Sequence, residues 1–383
     1  MAHFAFVSAP APGHVNPTLP LVAELVRRGH RVSYATGPST VDGAVAAGAA
    51  PVVLPSRLPP DMDARGEFTA DQLAVTLEHF LADARVSFPV LAEHFTADRP
   101  EVVCYDSVTF TGRMLANLLG VPDVALVPTF AENERFSATQ VYLPASFDHT
   151  HPRLVAAIGA MGEFAAGHEF LADPNLMFGY VAPVSIVFIP REFQLAGETF
   201  DDRFHFVGPT VADAGEWSPD GDGPVLLVSL GTVFNQRPDV YRACVEAFGD
   251  TEWQVVMSTG ELDTSLLGPL PGNVWAARRV PQVAVLRHAT AFVSHAGMNS
   301  LMEAVLHGVP VVAVPRIPEQ RAVARRAEEL GVARVPAEVT AESLRAAVEE
   351  ARGLRAGAVA LGDLARRAGG APAAADVLEK LLT

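Results

Sequence analysis

The segment His295-Ala-Gly-Met-Asn-Ser-Leu-Met-Glu303 carries the residue types that a diphosphate and a sugar ring require. It follows the apolar run Ala291–Ser294, so it reads as a strand, a tight turn at Gly297 and the start of a helix. Such a turn exposes backbone N–H groups, and the helix N-terminus adds positive potential, so the two form a cradle for phosphate. The side chains of Asn299 and Ser300 lie in the first helical turn and reach the same anion. Glu303, one turn further on, accepts hydrogen bonds from ribose hydroxyls. The grouping predicts a nucleoside diphosphate carrying free sugar hydroxyls.

Further polar residues follow apolar runs, where strands end. Ser229, Gly231 and Thr232 form a second short turn suited to phosphate. Val280 and Gln282 precede a helical pattern; they offer groups to a base edge, or simply mark a Pro-initiated helix. Glu319 and Gln320 pair an acid with an amide, a combination that holds sugar hydroxyls, although a solvated helix start has the same composition. In the N-terminal half the first strand runs into Gly13-His14-Val15-Asn16-Pro17. Asn16 is suited to an N-cap and Pro17 to the first helical position. His14 then stands at the carboxyl end of a strand, where open α/β sheets bind ligands. An imidazole there is suited to general-base work because it titrates near neutrality; capping the turn is the plainer role. Asp106 ends the apolar run 102–105. A carboxylate bonded to one imidazole nitrogen fixes the tautomer and stabilises the imidazolium, whereas a helix cap is its other reading.

These residues need a scaffold of strands and helices. The chain has 383 residues, enough for two domains with sizeable cores. Its 28 basic and 44 acidic residues give a formal charge of −16, which argues against nucleic acid or an anionic membrane as partner. Cys104 and Cys244 sit in apolar runs without a second soft ligand nearby, as expected of buried thiols. The N-terminus begins on a strand rather than a signal peptide, and no apolar run is long enough to span a bilayer. A cytoplasmic protein is therefore expected. No G-x-G-x-x-G, Walker loop or H-E-x-x-H is present. Asp61-Met-Asp63 and Asp220-Gly-Asp222 are metal-capable pairs, but their Pro- and Gly-rich settings suit solvated loops, and no metal is expected.

Short Val/Ile/Leu runs alternate with helical patterns, the signature of parallel strands buried on both faces. Strands are expected at 4–8, 31–35, 51–54, 102–105, 123–127, 184–189, 225–229, 254–257, 274–276, 291–294 and 310–314. The helical pattern 19–28 ends at Gly29. The stretch 208–223 is acidic and turn-rich, and reads as a linker. An N-terminal domain over 1–207, with a helical insertion at 128–182, and a C-terminal domain over 224–383 are expected. The last helix is free to pack back on the N-terminal domain.

Taken in order, Gly13-His14-Val15-Asn16-Pro17, Asp106, Ser229-Leu-Gly-Thr232, Val280-Pro-Gln282, the 295–303 segment and Glu319-Gln320 resemble the family 1 glycosyltransferases of GT-B fold, in particular the bacterial macrolide glycosyltransferase branch. The resemblance covers nearly the whole chain. It implies two Rossmann-like α/β domains facing a cleft, with acceptor on the first and nucleotide sugar on the second. It implies inverting transfer with His14 as base and Asp106 as its partner, a UDP-dependent hexosyltransferase that uses no metal or other cofactor. His295 and the following turn are to hold the diphosphate, Glu303 the ribose, and Glu319 and Gln320 the sugar. Two departures bear on the donor. Many relatives have Trp where Arg279 stands; an Arg plane also stacks on a base, but base preference opens. Glu319 replaces a more usual Asp, which opens sugar choice. UDP-glucose is the leading donor and a dTDP-deoxysugar the alternative. Segments 55–95 and 128–182 are rich in aromatic and thioether residues, Phe80 among them. Phe68, Phe130, Phe136 and Met161 are expected to line a pocket for a bulky apolar acceptor, such as a macrolide or aromatic polyketide, while more than half of the group is expected to be core. A nucleotide-sugar epimerase and a non-catalytic homologue are the competing readings. The protein is expected to be a monomer or homodimer.

Overall fold

The computed structural model describes residues 1–57, 68–170, 180–212, 215–232 and 236–382. The chain forms two compact units, Met1–Val211 with Ala368–Thr383, and Ala212–Arg367. The division falls inside the acidic stretch 208–223, whose described residues form neither helix nor strand.

The first unit is built on strands β1 (His3–Val7), β2 (Arg31–Thr36), β3 (Ala50–Val53), β4 (Val102–Asp106), β5 (Asp123–Val127), β6 (Val184–Val187) and β7 (Phe204–Phe206). They form one seven-stranded parallel sheet in the order β3-β2-β1-β4-β5-β6-β7. Every residue of β1 and β4 is buried, because helices cover both faces and leave no polar side to alternate with. The order reverses direction between β1 and β4, where Val7 pairs with Tyr105. This leaves a crevice outside the strands' carboxyl ends. Phe6 stacks on Tyr34 in the core, ring centroids 5.6 Å apart. The chain's last helix, Gly370–Glu379, packs against the helix Leu19–Arg27 of this unit. Ala374, Ala375 and Leu378 join the unit's core. Arg28 binds Asp376 and Glu379, each at 2.6 Å, and His30 Nε2 meets Glu379 at 2.8 Å.

In the second unit β8 (Val225–Ser229), β9 (Gln254–Ser258), β10 (Val274–Ala277), β11 (Ala289–Ser294), β12 (Val311–Ala313) and β13 (Ala333–Arg334) form a six-stranded parallel sheet, order β10-β9-β8-β11-β12-β13. Its reversal lies between β8 and β11, where Ser229 pairs with Ser294.

The expected strands all form, while β7 and β13 lie outside the expectation. Both are sheet edges of three and two residues, too short to show a run or an alternation. Helices Ala138–Tyr142 and Pro152–Ala166 occupy the connection from β5 to β6 that was expected to be helical. The expected N-cap at Asn16 is corrected. The helix starts earlier, at Pro12–Val15, and passes through Asn16–Thr18 into Leu19–Arg27. Pro12 takes the first position, which needs no N–H, and Asn16 has helical dihedrals. Among the described residues, no helix is long and apolar enough to cross a membrane.

Candidate active site

In the first unit two functional groups meet at the sheet's reversal. β1 delivers the chain to the short helix Pro12–Val15 that carries His14, and Asp106 is the last residue of the adjacent strand β4. His14 Nδ1 lies 2.8 Å from Asp106 Oδ2. Asp106 is only 1% exposed. The Ala9 N–H donates to its Oδ2 and the Val108 N–H to its Oδ1, both at 3.3 Å. The carboxylate thus braces the turn after its own strand and also faces the imidazole; it caps no helix, because the N-cap of Phe110–Leu119 is Thr109. His14 is part-exposed, and with Nδ1 turned to Asp106 its Nε2 faces away from the carboxylate.

A small cleft lies next to Asp106, bordered by the residues whose N–H groups bind its carboxylate rather than by His14 itself. Ser8, Ala9 and Val108 border it next to Asp106, while Leu54, Phe80 and Phe110 give it apolar walls. None of Phe68, Phe130, Phe136 and Met161 lines it. Two of these are corrections. Met161 is fully buried in the helix Pro152–Ala166, and Phe130 is 3% exposed and stacks on Phe193 at 5.8 Å. Both are interior packing residues, as apolar side chains on helix and loop commonly are. Phe136 is part-exposed against Phe200, and Phe68 is part-exposed before the helix Ala70–Ala97. The lining residue Phe80 lies within the helix Ala70–Ala97 and Phe110 opens the helix Phe110–Leu119, and only tertiary packing separates them from other phenylalanines.

In the second unit the phosphate-type turn forms as expected. β11 ends at Ser294, and the helix Met298–Leu306 begins after Gly297. Ala296, between them, has φ +60°, a left-handed conformation that costs a non-glycine residue about 1 kcal/mol or more. The His295 ring fills the space above two glycines. A Cβ on Gly231 would lie 2.7 Å from the ring, and one on Gly297 would overlap it. Burial drives the His295 pKa down to about 4, partly opposed by the Ser229 backbone, so the ring is neutral near pH 7. Ser229 is buried, while Thr232 is exposed on the turn beyond Gly231.

One amide joins the other half of this site. Gln282 Nε2 donates to Glu303 Oε2 at 2.7 Å and to Ser300 Oγ at 3.2 Å. Burial pushes the Glu303 carboxyl above its ordinary range, and the Gln282 donor draws it partly back. Val280 is part-buried and Arg279 exposed, just after β10. Asn299 is part-exposed in the first helical turn. Gln320 is 5% exposed, and its Oε1 accepts the Arg316 and Ile317 N–H groups at 2.8 and 3.3 Å. It therefore caps the helix Pro318–Glu329, a task the sequence did not reveal, and its amide nitrogen is the group left to face a ligand. Glu319 beside it is part-exposed.

Among the described residues, no group of three His, Cys, Asp or Glu could hold a metal ion. Asp220 and Asp222 are exposed loop residues; Asp61 and Asp63 lie outside the described residues. Cys104 and Cys244 are free and buried.

Residues 209–352 match the family model for UDP-glucoronosyl and UDP-glucosyl transferases. Over its whole length the chain is 40% identical to demethyllactenocin mycarosyltransferase of Streptomyces fradiae, covering 87% of it. The chain belongs to this glycosyltransferase family. The oleandomycin glycosyltransferase of Streptomyces antibioticus is 37% identical over 90% of the chain and 82% of its own length. Among solved structures, the calicheamicin glycosyltransferase CalG4 superposes with a TM-score of 0.87 at 35% identity, covering 100% of this chain and 98% of that one. The two parallel sheets are those of the GT-B glycosyltransferases, and the enzyme is a glycosyltransferase.

Proposed function

We propose that this glycosyltransferase moves a hexose, glucose first among candidates, from a UDP-sugar to a hydroxyl of a bulky apolar natural product, with inversion at the anomeric carbon. The observation that carries the proposal is the His14–Asp106 pair at 2.8 Å, set beside a cleft with apolar walls. His14 Nε2 takes the proton of the acceptor hydroxyl. The oxygen then attacks the anomeric carbon from the face opposite the diphosphate, the bond from that carbon to the diphosphate oxygen breaks, and UDP leaves. Asp106, desolvated and braced by backbone N–H groups, stabilises the imidazolium as it forms. In the second unit the backbone N–H groups after Gly297, a neutral His295 and Ser300 take the diphosphate. Glu303 takes the ribose, and Glu319 with the Gln320 amide takes the sugar. No step needs a metal, because fixed dipoles at the helix N-terminus meet the leaving charge.

Arg279 and the relative named for mycarosyl transfer support a second reading, a dTDP-deoxysugar donor on the same machinery. To test the proposal, purified enzyme is offered UDP-glucose with a panel of macrolides and phenolic natural products, and products are read by mass. One added hexose, with kcat cut about 10²–10⁴-fold in His14→Ala and nucleotide affinity unchanged, is the expected result. Lost nucleotide affinity in that variant would place His14 in the donor site. Transfer only from dTDP-sugars would favour the second reading.

A further inference from the structure

The cleft next to Asp106 has one feature that a purely apolar acceptor leaves unused. Asp83, in the helix Ala70–Ala97, presents its carboxylate to the cleft between the apolar Phe80 and Ala84 positions. It is part-buried. The Ser56 hydroxyl donates to its Oδ2 at 2.9 Å and the Ser87 hydroxyl at 3.5 Å, while the Arg57 N–H donates to Oδ1 at 3.3 Å. Among the described residues no basic side chain pairs with it. Arg57 also borders the cleft, but it is exposed at the rim, where water and salt screen its charge.

We propose that this cleft takes acceptors carrying a protonated amine, and that Asp83 is the residue that selects them. The inference rests on the reading of the cleft as the acceptor site. Three donors on strand-end loop and helix hold the carboxylate in place, so binding a cation costs little reorganisation. Oδ1 has one long hydrogen bond and keeps lone-pair capacity for an N–H donor. Leu54, Phe80 and Phe110 cover the apolar body around the amine. A neutral acceptor strips water from the carboxylate and returns at most an uncharged hydroxyl, a weaker partner than an ammonium, which selects against it.

The test is equilibrium binding to the full-length protein without donor. The probes are a hydroxylated macrolactone bearing a tertiary amine and its neutral N-acetyl counterpart, with a phenolic pair of the same design. At pH 7 the amine probe of at least one pair is expected to bind about tenfold more tightly than its neutral partner, the scale of one charge-assisted contact. Asp83→Asn should erase most of that gap and leave the neutral probe within about twofold. In the wild-type protein, the amine's advantage should fade as pH rises past the amine's own pKa; this arm needs no variant. Equal binding within each pair, no binding of any probe, or a gap that survives Asp83→Asn would overturn the inference. Sugar transfer is scored separately, so amine-selective binding without transfer would sink the transferase mechanism at His14 and leave the selectivity of Asp83 standing.

Discussion

Gln282 donates both protons of one amide, to Ser300 and Glu303, which ties together three residues of the proposed nucleotide site. The pH dependence of nucleotide binding follows from this contact. Burial raises the Glu303 pKa above its usual 4.5, so the empty site favours the neutral acid over a range above that value. Ribose hydroxyls donate best to the ionised form, so nucleotide should bind more tightly as pH rises through the raised pKa and more weakly as it falls. Gln282→Leu removes the one contact that lowers this pKa, so the midpoint should move to higher pH. Isothermal titration of UDP across pH reads both effects, and a flat profile in wild type would remove Glu303 from the ribose site. Glu303→Ala should weaken UDP by about 1–3 kcal/mol if the buried contact is lost. His295 titrates near 4 and should contribute no further pH dependence above neutrality.

At the scale of elements, both sets of functional residues lie where a sheet reverses strand order, β1 beside β4 and β8 beside β11. Helices leave a parallel sheet on opposite faces at such a point, and the crevice between them is the one place where strand ends stay open. The second unit's turn is shaped by what its glycines lack. Gly297→Ala would drive a methyl into the His295 ring. UDP affinity should drop about tenfold or more while the melting temperature changes little, since the ring can swing into the open site; unchanged affinity would remove His295 from the phosphate cradle. Ala296→Gly, at φ +60°, should instead stabilise the fold by up to about 1 kcal/mol by relieving left-handed strain. Chemical denaturation measures it.

On the scale of the whole molecule, the last helix belongs to the first unit although the second unit precedes it in the chain. Removing residues 370–383 exposes the core around Ala374, Ala375 and Leu378 and strands Arg28 and His30 without their acidic partners. The first unit should melt several degrees lower, because the lost apolar burial alone amounts to a few kcal/mol. UDP affinity, which the proposed donor site places in the second unit, should stay within about twofold. Calorimetry with and without UDP separates the two. Transfer should survive excess EDTA; a loss restored by Mg²⁺ would revive a metal role for the Asp-x-Asp pairs, Asp61/Asp63 and Asp220/Asp222.

Local chemistry is what could be read in advance. The interior strands showed as Val/Ile/Leu runs because a strand buried on both faces has no polar alternative. The turn at His295 showed because glycine constrains backbone within a few residues, whereas the turn expected at His14 is the helix Pro12–Val15. Edge strands β7 and β13 did not show, since a two- or three-residue edge gains its structure from its neighbour rather than from its own pattern. Nor did the capping role of Gln320 or the Gln282–Glu303 bond, which joins residues 21 apart in sequence. The 2.8 Å approach of His14 to Asp106 depends on the register of β1 against β4, and that register comes from packing. The same limit applies to the residues proposed for the acceptor. Phe130 and Met161 have the composition of a pocket wall, yet burial made them core, while Phe80, Phe110 and Asp83 came to face the cleft. Which apolar side chain meets solvent and which meets another side chain is set by where helices dock on the sheet, and no single stretch of sequence carries that information.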